Sequence, residues 1–104
     1  MDQHGLEAFT ATSDVTGDQV DVVVTGEVDM STADAMFQAA TPDRVKAATL
    51  DLTQVTFFDS AAIHALIRLA ERFPSTLTVL PSPQVRRVLE ISGLSGQPWL
   101  KPPA

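Results

Sequence analysis

Asp59 and Ser60 stand where the hydrophobic period of the chain changes from two residues to between three and four. A short polar side chain at such a switch accepts hydrogen bonds from the exposed amides of a first helical turn, and the helix dipole favours negative charge there. The Ser60 hydroxyl is thus held at a site that could receive a phosphate. His64, four residues further on, shares the neighbouring helix surface and invites a serine-hydrolase reading. That reading lacks parts, because the only other histidine is His4 near the start and no Gly-x-Ser-x-Gly turn is present. His4 and His64 also lack the companions of a metal site. Asp29 and Asp59 form the remaining enzymatic option, a carboxylate pair. A glycosidase-like site needs a deep cleft lined with sugar-stacking aromatics, and five Phe, one Trp and no Tyr must also supply the core. The residues therefore predict a protein that is not an enzyme and holds neither metal nor cofactor. Asp59 reads as a cap, and Asp29 as an acidic part of a docking rim.

The elements that must position these residues follow from the patterning. Leu50 and Leu52 alternate with Asp51 and Thr53, as a half-buried strand requires; from Ile63 the apolar set Ile63, Leu66, Ile67, Ala70 and Phe73 turns one helical face to the core. Leu6 to Thr12 and Gln19 to Thr25 read as a hairpin whose turn is Ser13 to Asp18. Val20, Val22 and Val24 share a face, Val23 suggests partial cover on the other, and Gly26 ends this strand just before Asp29. Ser31 and Asp34 have capping-box spacing ahead of Ala33, Met36, Phe37 and Ala40, a first helix that stops before Pro42. Thr76 to Leu80 reads as a fourth strand with Leu77 and Val79 on one face. A last helix carries Val85, Val88 and Leu89, with Ser82 as N-cap, Pro83 in the first turn and Gly93 just past its end. Beyond it, Trp99 and Leu100 are expected to cover an apolar edge. The order β-β-α-β-α-β-α predicts an α/β fold with a mixed, mostly parallel four-stranded sheet and three helices, the first strand antiparallel at one side. Asp29, Asp59 and Ser60 then converge at one edge, beyond the carboxyl ends of neighbouring parallel strands.

Three segments in this order resemble the STAS family, the sulfate transporter and anti-sigma factor antagonist domains, and within it the anti-anti-sigma factors. Leu50-Asp51-Leu52 followed by Phe58-Asp59-Ser60-Ala61-Ala62-Ile63-His64 is similar to the family's apolar strand and Asp-Ser helix start. Gly26-Glu27-Val28-Asp29 with Ser31-Thr32-Ala33 resembles its Gly-Glu-(Leu/Ile)-Asp segment, and Val85 through Ser92-Gly93-Leu94 resembles its last helix. Ala62 and His64 stand where the pattern has glycines. The resemblance implies an anti-sigma factor antagonist. Unphosphorylated, it binds an anti-sigma factor that is also a serine kinase and frees a sigma factor; phosphorylated on Ser60, it lets go. It further implies a partner surface made of Asp29, Asp59, Ser60, Ala61, Ala62 and His64, with Asp59 as the acid a kinase recognises, and a phosphatase that reverses the switch. An alternative on the same fold is an accessory subunit that binds the ATPase of a lipid-type ABC transporter, or a STAS scaffold that is never phosphorylated.

Length and composition agree with one STAS domain over residues 1–104, with 1–5 and 95–104 loose or irregular. The 44% apolar content fits a globular chain, and the absence of cysteine excludes disulfides, thiolate metal sites and cysteine nucleophiles. A net charge of −6, from 13 acidic and 7 basic residues, argues against a general affinity for nucleic acid. Arg68 with Arg72, and Arg86 with Arg87, read as solvated helix faces. The polar start lacks the pattern of a secretory signal and no apolar run approaches a membrane span, so a cytoplasmic location without membrane insertion is expected.

Overall fold

The computed structural model describes residues 8–102. Its elements are β1 (Thr10–Thr16), β2 (Gln19–Val28), α1 (Ala33–Ala39), β3 (Ala47–Phe58), α2 (Ser60–Arg72), β4 (Leu77–Pro81) and α3 (Pro83–Ile91), the order expected. They form one sheet in the order β1-β2-β3-β4, with β1 antiparallel to β2 and the other pairs parallel.

The hairpin is tighter than its composition suggested. Ser13 and Asp14 lie inside β1, paired with Val22 and Asp21, and the turn is reduced to Gly17 and Asp18, where Gly17 takes a φ of 62°. Turn-forming side chains were outweighed by cross-strand pairing, and the glycine supplied the left-handed residue that a two-residue connection needs. Leu6 and Glu7, the start of the expected strand, lie outside the described residues. Nor does Gly26 end β2. The strand continues to Val28 through Gly26 at a φ of 85°, with the register shifting on both sides of it. A Cβ at Gly26 would collide with the Ala8 carbonyl, so the residue marks a close backbone approach within a strand.

The core lies between one sheet face and the helices. Val20, Val22, Val24 and Val28 from β2 join Leu50, Leu52, Val55 and Phe58 from β3, and all are at most 3% exposed. Met36 of α1 and Ala62, Ala65, Leu66 and Leu69 of α2 close over them. The buried stripe of α2 therefore differs from the expected one: Ile67 is exposed, and Ile63 and Ala70 are only half-buried. Both stripes share Leu66 and Phe73. The small Ala62 and Ala65 let the helix backbone approach the sheet, which turns the larger Ile63 and Ile67 outward. On the opposite sheet face Val23 is 39% exposed, so the partial cover expected there is missing.

Beyond α3 the described residues, to 102, are turns and irregular backbone apart from one bridge. Gly93, at a φ of 79°, closes α3 with Leu94 N donating to Leu89 O at 2.8 Å and Gly93 N to Glu90 O at 3.0 Å. Trp99 and Leu100 are then buried, and Val79 N donates to Trp99 O at 2.8 Å while Lys101 N donates to Val79 O at 3.0 Å. Val79 and Leu100 form one parallel bridge beside β4.

Candidate functional site

The carboxyl ends of β2 and β3 finish level, because Val28 and Phe58 are register partners and Asp59 N donates to Val28 O at 3.2 Å. Asp29 and Asp59 are the next residues on each strand and so sit side by side on one edge of the sheet. This is the convergence that parallel pairing predicted.

Each aspartate is held by the helix start that follows it. Asp59, with extended backbone, is the N-cap of α2 and accepts from Ala62 N at 3.0 Å, while its carbonyl accepts from Ile63 N at 3.0 Å. Asp29 organises the entry to α1. Its Oδ1 accepts from Ser31 N at 2.9 Å, Ser31 Oγ at 2.7 Å and Thr32 Oγ1 at 3.2 Å, and its backbone N donates to Thr32 Oγ1 at 2.9 Å. The expected capping box does not form. The N-cap is Thr32, whose hydroxyl turns back to Asp29 and the Glu27 carbonyl and leaves α1 without a side-chain cap. Ser31 is committed to Asp29. That commitment outweighs the Ser31–Asp34 spacing because a charged acceptor makes the stronger hydrogen bond.

The Ser31 hydroxyl, then the Ser31 amide, and with them Thr32, hold the Asp29 carboxyl below its usual value of 3.8 against opposing desolvation. Asp29 is accordingly a carboxylate at neutral pH, a poor proton donor and a good fixed charge. A glycosidase-like pair would also need an enclosing cleft, but a groove of about 320 Å³ lies elsewhere, along Ile67, Ala70, Leu94 and Trp99. No group of three or more His, Asp or Glu with metal-holding geometry occurs among the described residues.

Ser60 is the first residue of α2, exposed, and its hydroxyl makes no hydrogen bond among the described residues. Since Asp59 already caps the helix, the hydroxyl is available. Ala61 is half-buried and His64 exposed on the outward side of the same helix. Ala62 is different: it is fully buried, its methyl packs in the core and only its amide serves the edge, through Asp59. Four of the six residues assigned to a partner surface thus offer side chains from α2 or its cap, one offers a fixed charge from the β2 end, and Ala62 offers none. Met30 was missed. It is 80% exposed between Asp29 and Ser31, and a lone apolar residue in a polar connection was the available signal.

Of the arginines expected on solvated helix faces, Arg68, Arg72 and Arg87 are exposed and Arg86 is half-buried; Arg68 also lies 4.1 Å from the Phe37 centroid and Arg72 5.0 Å from that of Phe73, while Arg86 Nη2 donates to Lys101 O at 2.8 Å. No helix of the described residues is long and apolar enough to cross a membrane.

Comparison with known proteins places this architecture. No curated protein matches the chain. Among solved structures it is similar to an anti-sigma factor antagonist from Mycobacterium paratuberculosis, at 28% identity and a TM-score of 0.77 over 92% of this chain and 87% of that one. The anti-sigma factor antagonist SpoIIAA in its unphosphorylated form shares the fold at 24% identity and a TM-score of 0.68, covering 93% of this chain and 89% of that one. The Bacillus cell fate determinant SpoIIAA in the phosphorylated form does so at 23% and 0.66, covering 93% and 92%. A family model described as Mlab, STAS domain, matches residues 11–102. With nearly its whole described length under that model, the chain belongs to the STAS domain family.

Proposed function

We propose that this STAS domain is an anti-sigma factor antagonist switched by phosphorylation of Ser60. The observation that carries the reading is the Ser60 hydroxyl: exposed, without a hydrogen bond among the described residues, at the first turn of a helix already capped by Asp59. Likeness to the mycobacterial antagonist, at 28% identity, supports the function class. An anti-sigma factor that is also a serine kinase binds the edge of Asp29, Asp59, Ser60, Ala61 and His64 and releases its sigma factor. Transfer of the γ-phosphoryl group of ATP to Ser60 Oγ, with loss of the hydroxyl proton, places close to two negative charges at the start of α2. The helix start tolerates them. The interface does not, because the new charge adds to the carboxylates of Asp29 and Asp59 and must be desolvated on docking. A loss of about 3 kcal/mol, roughly a hundredfold in affinity, suffices to exchange partners. A phosphatase restores the first state. The domain itself performs no catalysis in this scheme and acts in the cytoplasm, where sigma factors are.

Incubation with its cognate anti-sigma kinase and ATP should add one phosphate, located on Ser60 by mass spectrometry. Thr56, whose hydroxyl donates to the Gly26 carbonyl at 3.3 Å, and Ser92, at the negative end of α3, are worse acceptors. Phosphate on either of them with Ser60 bare sinks the assignment. The second reading, an accessory subunit bound to a lipid-type transporter ATPase, gains from Ala62 and His64, which stand where the pattern of the phosphorylated antagonists has glycines. Equal partner binding by wild type, Ser60→Ala and Ser60→Glu would put it first.

A further inference from the structure

All four strands lack lysine, arginine and histidine, and the basic residues among those described lie on helices and connections. The consequence falls on the sheet face turned away from the core. Strand register places Asp14 opposite Asp21, Val23 between Thr12 and Asp51, and Phe57 beside Glu27 on that face. Val23 is 39% and Phe57 48% exposed. Thr53 and Gln19 donate to Asp51 and Asp21 and orient them, at 2.6 Å and 3.0 Å, but these donors are neutral, and among the described residues none of the four strands offers a cation. Carboxylates directly opposite on a strand pair destabilise it, so the Asp14–Asp21 pair is a cost to the sheet.

We propose that this face docks a cationic amphipathic helix of a partner protein, independently of Ser60. From Asp21 to Glu27 is about 20 Å along the strand, and β1 to β3 span about 10 Å across it. A helix is about 10 Å wide and covers 20 Å in about 13 residues, so three to four turns fit the length of the face. Its apolar stripe meets Val23 and Phe57, and its lysines or arginines meet Asp14, Asp21, Glu27 and Asp51. Charge eliminates other occupants. A second copy laid face to face sets acid against acid, and an anionic membrane or a nucleic acid is repelled in the same way. A footprint this small makes the contact transient and sensitive to salt.

The test is an NMR titration of the isotope-labelled full chain with a 14-residue helical peptide of leucine and lysine, alongside its leucine and glutamate counterpart. The lysine peptide should shift the amides of Asp21, Val23, Thr25, Gln54 and Phe57 in a saturable way that weakens with salt, while the glutamate peptide does nothing. Val23→Thr with Phe57→Thr should lower the affinity about fivefold, the loss expected from about 1 kcal/mol of apolar contact. Shifts centred instead on α2, on the groove by Trp99 or evenly over Asp34 and Asp43 would overturn the proposal, as would an affinity untouched by the double substitution or the absence of binding. Concentration-dependent shifts of the face without peptide would assign it to head-to-tail self-association and overturn it equally.

Discussion

The starts of α2 and α3 each carry a serine, Ser60 and Ser82, and these two have opposite fates. Ser82 is itself the cap of α3. It is 2% exposed, its hydroxyl accepts from Val85 N at 3.1 Å and donates to the Val55 carbonyl at 2.7 Å, so both of its roles are used inside the protein. At α2 the work is divided: Asp59 accepts from Ala62 N, and Ser60, one residue later, is exposed with no bond among the described residues. A serine that caps is thereby hidden from a kinase, while a serine relieved of capping is open to one. The division of labour between Asp59 and Ser60 leaves a hydroxyl exposed at the start of α2, whereas at α3 the cap uses it up.

Breaking the α3 side of the comparison should have the largest effect. Ser82→Ala removes a cap, at about 1 kcal/mol, and strands the buried Val55 carbonyl, at about 1 to 3 kcal/mol more, so urea denaturation should show a loss of about 2 to 4 kcal/mol. A loss below about 0.5 kcal/mol would mean that water replaces the hydroxyl and that Ser82 is not the structural member of the pair. On the α2 side, Asp59→Ala should cost about 0.5 to 2 kcal/mol with the fold intact by circular dichroism, and Asp59→Ser should recover most of that cost because serine also caps well. If serine does not rescue, Asp59 holds the edge by something other than its bond to Ala62.

Asp29 gives a third test, sensitive to charge more than to stability. Its pKa is depressed in the folded protein, so any stabilisation it provides is present above the usual value of 3.8 and is lost as pH falls through the lower folded value. Carboxyl NMR should find its midpoint below 3.8, and Ser31→Ala, which removes the largest single cause, should move it upward. An unchanged midpoint in that variant would mean that Ser31 does not hold the carboxylate.

The sheet order, the convergence of Asp29 with Asp59 and both ends of α3 were legible in the sequence because each rests on a local rule with few competitors: strand periodicity, crossover handedness, and the Ser-Pro start with its Gly stop. What escaped depended on distance along the chain. Gly26 reads as a strand end, and only the approach of Ala8 shows why a glycine is needed in mid-strand. The α2 stripe could be drawn through Ile63 and Ile67 or through Ala62 and Ala65, and how closely the helix meets the sheet decides between them. For the same reason Ala62, exposed by analogy with its neighbours in the motif, is in fact buried. Ser31 lost its expected cap role to an aspartate two residues earlier, since spacing rules do not weigh a charged competitor.

The smallest expected effect is the most informative about the switch. Ser60→Ala removes a hydroxyl that bonds to nothing among the described residues, and alanine is the better helix former, so stability should change by no more than about 0.5 kcal/mol. Ser60→Asp should be neutral or stabilising by about 0.3 to 1 kcal/mol, because the first turn of a helix favours an anion. The two denaturation curves therefore separate what the fold feels from what a partner feels. If Ser60→Asp binds its partner less well while unfolding no earlier than wild type, the penalty belongs to the interface, where the added charge meets the carboxylates of Asp29 and Asp59. It should be smaller than that of the true phosphate, which carries close to twice the charge. If Ser60→Ala instead costs more than about 1 kcal/mol, the hydroxyl is structural after all. Ser60 would then resemble Ser82, and the distinction between the two helix starts would fail.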